Sequence, residues 1–180
     1  MAGKRRRVRA GLSLIEMFFS IALLTIVSGG VFTLFYSNNY GATLSGDQSV
    51  AMTDTQTALR SVTTDLCPAT AFATPDQTGG LRVTYASGPA VEYYLNGTTL
   101  MRMVASTGNP TTTVLTGVVS GTGLSLTYYD SSMNAIAGPM DSTKYGQAVA
   151  VNVTIQTNLA HSAFGQVRRT ARVVLRNKVS

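Results

Sequence analysis

The residues able to do chemistry are few and scattered. The chain has one histidine, His161, and one cysteine, Cys67, so a His/Cys metal cluster is excluded by count and no intramolecular disulfide can form. His161 lies in a polar connection, residues 158–166, without the nucleophile or second base that acid–base or covalent catalysis needs. No pair of carboxylates stands at a workable spacing. Gly121-Thr122-Gly123 is a turn rather than a phosphate loop, because no Gly-Lys-Ser/Thr follows it. Asn96-Gly97-Thr98 and Asn152-Val153-Thr154 fit glycosylation sequons but read better as a turn and a strand. Tyr85, Tyr93, Tyr94, Tyr128 and Tyr129 suit a sheet more than a ligand platform. Cys67, at a helix end, is expected to be a small packed residue shielded from solvent. The sequence therefore offers no catalytic residue, no metal site and no cofactor.

Two charged features remain. Glu16 stands one residue before an uncharged run, 17–36. A carboxylate at the centre of a bilayer is disfavoured by about 2.5–3.5 kcal/mol on insertion scales, less near the headgroups. Glu16 is thus either a bystander at the interface or a group with a partner. The other feature is Arg168, Arg172 and Arg176, joined by Lys178, which share one face of a final strand through its period of two. They suit an anionic partner, such as DNA or an acidic neighbouring subunit, or else a solvated or charge-protected sheet edge. No aromatic residues interleave with them as single-strand binding would want, which favours the second reading.

The net charge of +6 does not argue for nucleic acid either. Lys4, Arg5, Arg6, Arg7 and Arg9 supply five of the fourteen basic residues; without them nine face eight acids, leaving +1. These five residues form a basic leader, 1–11, directly ahead of the apolar run. Twenty helical residues rise about 30 Å, the thickness of a bilayer's hydrocarbon core. Positive charge before the span predicts a cytoplasmic N-terminus and a translocated remainder. A secretory signal cut after Ser28, Gly29 and Gly30 fits poorly, since Val31, Phe32, Leu34 and Phe35 resume the apolar run at once and signal cores are shorter. An uncleaved anchor explains the span but not Glu16.

Gly11-Leu12-Ser13-Leu14-Ile15-Glu16 resembles the processing motif of type IV pilins and type II secretion pseudopilins. The resemblance implies cleavage after Gly11 by a prepilin peptidase, N-methylation of Leu12 and an assembly role for Glu16. Leu12 stands where Phe is usual and Ser13 where Thr is usual, both mild departures. The helix-bending proline common in the family is replaced by Thr33, preceded by Gly29-Gly30, a pair that can also loosen a helix. The motif has a physical logic. Cleavage removes five positive charges and leaves one ammonium, and in a staggered bundle Glu16 of one subunit can meet the Leu12 amine of the next, offsetting a desolvation penalty that neither charge could bear alone.

The elements that must position this head follow. Tyr40, Leu44, Ala51, Ala58, Leu59, Val62 and Leu66 fall on one helical stripe, with Asp47, Asp54, Gln56 and Arg60 away from it, and Cys67-Pro68 stops the helix. The organisation expected is a leader (1–11), a membrane or filament-core helix (12–36), its amphipathic continuation (37–67) and an antiparallel sheet domain (68–180). Strands are expected at 81–86, 90–95, 100–104, 113–118, 124–129, 149–157 and 167–175, with Asn96-Gly97 closing a hairpin. The class is α+β, a long N-terminal helix on an antiparallel β-sheet, which is also the fold the pilin resemblance implies. Val91-Glu92-Tyr93-Tyr94-Leu95-Asn96-Gly97, Leu100-Met101-Arg102, Leu124-Ser125-Leu126-Thr127-Tyr128-Tyr129-Asp130 and Ala171-Arg172-Val173-Val174-Leu175-Arg176-Asn177 are similar to the layout of minor pilins and pseudopilins of the PilW/GspJ type. The expectation is a non-enzymatic filament subunit, single-pass in the inner membrane before assembly. Its partners would be the peptidase, an inner-membrane assembly platform, membrane lipid and other pilin-like subunits. A tip adhesin or DNA receptor on the same anchor is the alternative.

Overall fold

The computed structural model describes residues 13–106, 110–160 and 165–175. Its first element is one helix, α1 (Leu14–Leu66), uninterrupted at Gly29-Gly30. The helix stops where the sequence forbids another turn: the Cys67 amide still reaches Thr63 O at 3.0 Å, but Pro68 has no amide to continue the ladder. The chain divides into two compact units, one ending at Thr43 and one beginning at Leu44.

Within the first unit every described residue is exposed, including Leu14, Phe18, Leu24, Ile26, Phe32 and Phe35. By length and composition this helix can cross a membrane.

The second unit contains the end of α1 and two antiparallel sheets. Strands β1 (Ala71–Ala73), β2 (Leu81–Thr84), β3 (Val91–Asn96), β4 (Thr99–Val104) and β5 (Thr111–Leu115) lie side by side in chain order. Strands β6 (Leu124–Tyr129), β7 (Ala150–Asn158) and β8 (Gln166–Val174) form the second sheet. Within each sheet every strand runs antiparallel to its predecessor in the chain; the connection from β6 to β7 carries a short helix, whereas short connections join β1 through β5. The tightest is Asn96-Gly97-Thr98-Thr99, where Gly97 adopts φ 62° and Asn96 pairs with Thr99. The sheets are stitched where β5 ends: Val118 N–H donates to Thr98 O at 2.9 Å, and Val119 N–H to Gln156 O at 2.9 Å. Gly123 packs so closely there that a Cβ would sit 2.4 Å from Val118 Cγ1, which only glycine avoids.

Ala58, Leu59, Val62 and Leu66 of α1 pack into one core with residues of both sheets, among them Leu81, Tyr93, Leu100, Val151, Val153 and Ile155. Phe72, Tyr128 and Tyr145 stack edge to face at its margin, with both ring pairs 5.3 Å apart. The Tyr128 hydroxyl is enclosed there without a hydrogen-bond partner among the described residues, and burial, with Tyr145 beside it, pushes its ionisation far up.

The α+β arrangement expected from the sequence is present, with several differences. The strands form two sheets rather than one, because the connection 116–123 carries the chain across. The strand expected at 113–118 ends at Leu115, since Gly117 turns at φ 75° and leaves Val118 to bridge Thr157. Two short elements were not anticipated: β1, and α2 (Ser142–Gln147), capped by Asp141, which accepts from Lys144 N–H at 2.8 Å. Cys67 is exposed, not shielded: Leu66 takes the inward position at the helix end and Cys67, about 100° further round, faces out. Tyr40 at the head of the predicted stripe is likewise exposed; burial on α1 begins only at Thr55.

Candidate functional site

Glu16 sits in the first turn of α1, in a local ring of hydrogen bonds. Ser13 N–H donates to Glu16 Oε2 at 3.1 Å, and Glu16 N–H donates to Ser13 Oγ at 3.3 Å. Each side chain caps the other's amide, so two of the four amides that any helix leaves unpaired at its start are satisfied. The charge also lies at the positive end of the helix macrodipole. Ser-x-x-Glu ahead of an apolar run is the sequence signature of this box, and it gives Ser13 a role the motif resemblance did not assign. Gly11 and Leu12, the expected cleavage and methylation positions, lie outside the described residues, as do His161, Arg176 and Lys178.

Behind Glu16 the apolar segment hides most of its polarity. Ser20 Oγ donates to Glu16 O at 2.8 Å, Thr25 Oγ1 to Ile21 O at 2.7 Å and Thr33 Oγ1 to Gly29 O at 2.9 Å. A hydroxyl that bonds one turn back within its own helix needs no partner from lipid or from a neighbour. Of Ser20, Thr25, Ser28 and Thr33, only Ser28 lacks such a bond. The surface from Leu14 to Phe35 thus offers hydrocarbon, with one carboxylate at its head and the Ser28 hydroxyl part-way along.

The other end of α1 is held by a second carboxylate. Asp65 Oδ2 accepts from Tyr93 OH at 2.6 Å and from Arg102 Nε at 2.7 Å, and the Asp65 carbonyl accepts from Tyr85 OH at 3.0 Å. An acid in a helix's last turn opposes the macrodipole, and α1 has no basic residue there, so the compensating cation comes from β4. Its hydrogen bond to Asp65 raises the Arg102 pKa further. Burial, reinforced by the Asp65 charge, pushes the Tyr85 phenol up to about 12, and burial plus the hydrogen bond to Asp65 raises Tyr93 as well. An unbalanced acid in the last turn is the one trace of this cluster in the sequence; its partners, 20 to 37 residues away, leave none.

Glu92 is the third carboxylate with a fixed task. Fully buried in β3, it accepts from Asp76 N–H at 2.9 Å and Gln77 N–H at 2.7 Å, with Arg82 Nη1 4.0 Å away and itself paired to Asp76. It pins the loop between β1 and β2.

The arginine face is partly as expected. Arg168 and Arg172 do share a face of β8, both exposed. Arg172, however, is engaged: its Nε donates to Asn152 Oδ1 at 2.9 Å and its guanidinium lies 4.5 Å from the centre of the Tyr129 ring. Asn152 Nδ2 in turn donates to Tyr129 OH at 2.8 Å, completing a ladder across the sheet. Among the described residues no group of three or more His, Cys, Asp or Glu converges as a metal site.

No protein-family model matches the sequence, and no curated protein matches it.

Proposed function

We propose that the chain is a minor pilin or pseudopilin: a structural, non-catalytic subunit of a type IV pilus or type II secretion pseudopilus. A prepilin peptidase would cut it after Gly11, and it would be assembled through its N-terminal helix. One combination of features carries the reading: a basic leader ending in glycine, then Ser13-to-Glu16 capping, then an apolar helix exposed on all sides. Exposed hydrocarbon on this scale needs a bilayer or other helices around it. In that setting the subunit waits in the inner membrane with its N-terminus cytoplasmic and then exchanges lipid for neighbouring subunits, guided by the assembly platform. Glu16 would pair with the Leu12 amine of the adjacent subunit and so set the axial register.

The capping box sharpens the test. Glu16→Ala removes both the cap and the charge, whereas Glu16→Gln retains the cap and removes only the charge. Charge pairing predicts that both variants lose incorporation into polymer; a Glu16→Gln chain that polymerises like the parent rejects it. Mass spectrometry of the protein from producing cells should give an N-terminus at Leu12 carrying a methyl group. An intact leader or a cut near Gly30 would falsify the proposal.

The alternative, a tip adhesin or DNA receptor on the same anchor, draws on the exposed Arg168 and Arg172. Arg168→Gln with Arg172→Gln would then abolish ligand capture and spare assembly.

A further inference from the structure

The second sheet buries one row of side chains and turns the other away from the core. Val151, Val153, Ile155 and Val173 are enclosed, so the residues that alternate with them form the opposite face. That face offers hydroxyls from Ser125, Thr127 and Thr170 and amides from Asn152 and Gln156. Strands β6, β7 and β8 contain no acidic residue. Many of these groups are already tied together across the strands. The Thr154 and Thr170 hydroxyls lie 2.8 Å apart, and the Gln156 amide donates to the Gln166 side chain. A ligand docking here has few side chains left to order.

Arg172 is the most constrained of them. Its guanidinium lies over the Tyr129 ring and its Nε is committed to Asn152 Oδ1, while Nη1 and Nη2 have no hydrogen-bond partner among the described residues. A guanidinium fixed in this way presents a fork that takes a carboxylate at two points. Arg168 stands four residues along the same face, about 13 Å away at about 3.3 Å per residue, and no ion pair engages it among the described residues.

We infer that this face binds an acidic polysaccharide, a hydroxyl-rich polymer whose carboxylates are set apart by uncharged sugars. Its carboxylates would meet Arg172 and Arg168, and the sugar hydroxyls between them would meet the amides and hydroxyls of the sheet. Nucleic acid fits less well. Duplex DNA carries one charge per about 1.7 Å of axis, of which two distant guanidinium groups neutralise few. A single strand wants open aromatic rings, and the Tyr129 ring already carries Arg172. This rests on the receptor alternative above and names its ligand.

The test measures retention of hyaluronan, dextran and duplex DNA by the full chain in detergent at one salt concentration. Hyaluronan should bind more tightly than DNA, and dextran, which lacks carboxylates, should not bind. Arg172→Lys keeps the charge but loses the fork, and should weaken hyaluronan binding at least about tenfold. Arg168→Gln, which breaks no ion pair among the described residues, should weaken it as well. Arg169→Gln removes the same charge from the opposite face of β8 and should leave binding unchanged. Full binding by Arg172→Lys, or equal losses with Arg168→Gln and Arg169→Gln, overturns the site. Tighter binding of DNA than of hyaluronan overturns the polysaccharide and keeps the receptor alternative. Retention of none of the three overturns both.

Discussion

The first and last turns of α1 are each organised by a carboxylate, and the two work in opposite ways. The Glu16 side chain is held within its own turn: it caps Ser13 and, among the described residues, bonds nothing distant in sequence. Asp65 is accounted for by three residues from elsewhere, Tyr85, Tyr93 and Arg102. The apolar side chains follow the same division. Leu14 is 88% exposed and Leu66 is 0% exposed. The chain itself supplies the environment of the last turns and leaves that of the first to whatever surrounds it. Sequence composition does not separate the two cases, since both ends carry leucines at helical spacing.

The largest effect should come from exchanging equivalent residues between the two regions. Leu66→Ala empties a closed site and should lower the stability of the folded domain by about 2–5 kcal/mol in denaturant unfolding. Leu24→Ala should leave the domain's midpoint unchanged. Equal effects would erase the distinction between the regions.

A smaller effect should follow from the Asp65 cluster. Asp65→Asn weakens two charge-assisted hydrogen bonds on partly exposed side chains and should lower stability by about 1–3 kcal/mol. The cluster also sets an alkaline limit. Tyr85 ionises at 10.0 when unfolded and is pushed up to about 12 in the fold. Above pH 10 the unfolded chain therefore holds fewer protons than the folded one, and stability, undiminished by this group below pH 10, falls between about pH 10 and 12. Unfolding midpoints measured across that window should drop for the parent and drop less for Asp65→Asn, whose lost charge lets the phenols ionise more readily.

The smallest effect belongs to the head. Ser13→Ala removes half of the capping box and should fray the first turn by about 0.5–2 kcal/mol, visible as faster amide exchange there in detergent, with no change in domain stability.

How much of this was legible in the sequence depended on distance along the chain. The Asn96-Gly97 hairpin was readable because its turn is local, although the two turn residues prove to be Gly97 and Thr98, with Asn96 paired to Thr99. The helix end was readable from Pro68. The split into two sheets was not, because it depends on Gly117 turning and Val118 meeting Thr157, contacts that span the domain. Glu92 gave no sign of burial: Val91, Glu92 and Tyr93 are all enclosed, against the alternation a strand normally shows, because β3 is covered on both faces at that point. For the head region, the Ser13-to-Glu16 cap has a local sign, Ser-x-x-Glu ahead of an apolar run, because both partners lie within one turn.

The Asp65 cluster also has a mechanical consequence. Tyr93 and Arg102 come from neighbouring strands of one sheet and Tyr85 directly follows β2, yet all three converge on a single residue of the helix. Tension applied along α1 would therefore be shared by three bonds in parallel rather than passed through them in turn. Such an attachment resists shear until all three yield together, as a rivet does and a zipper does not.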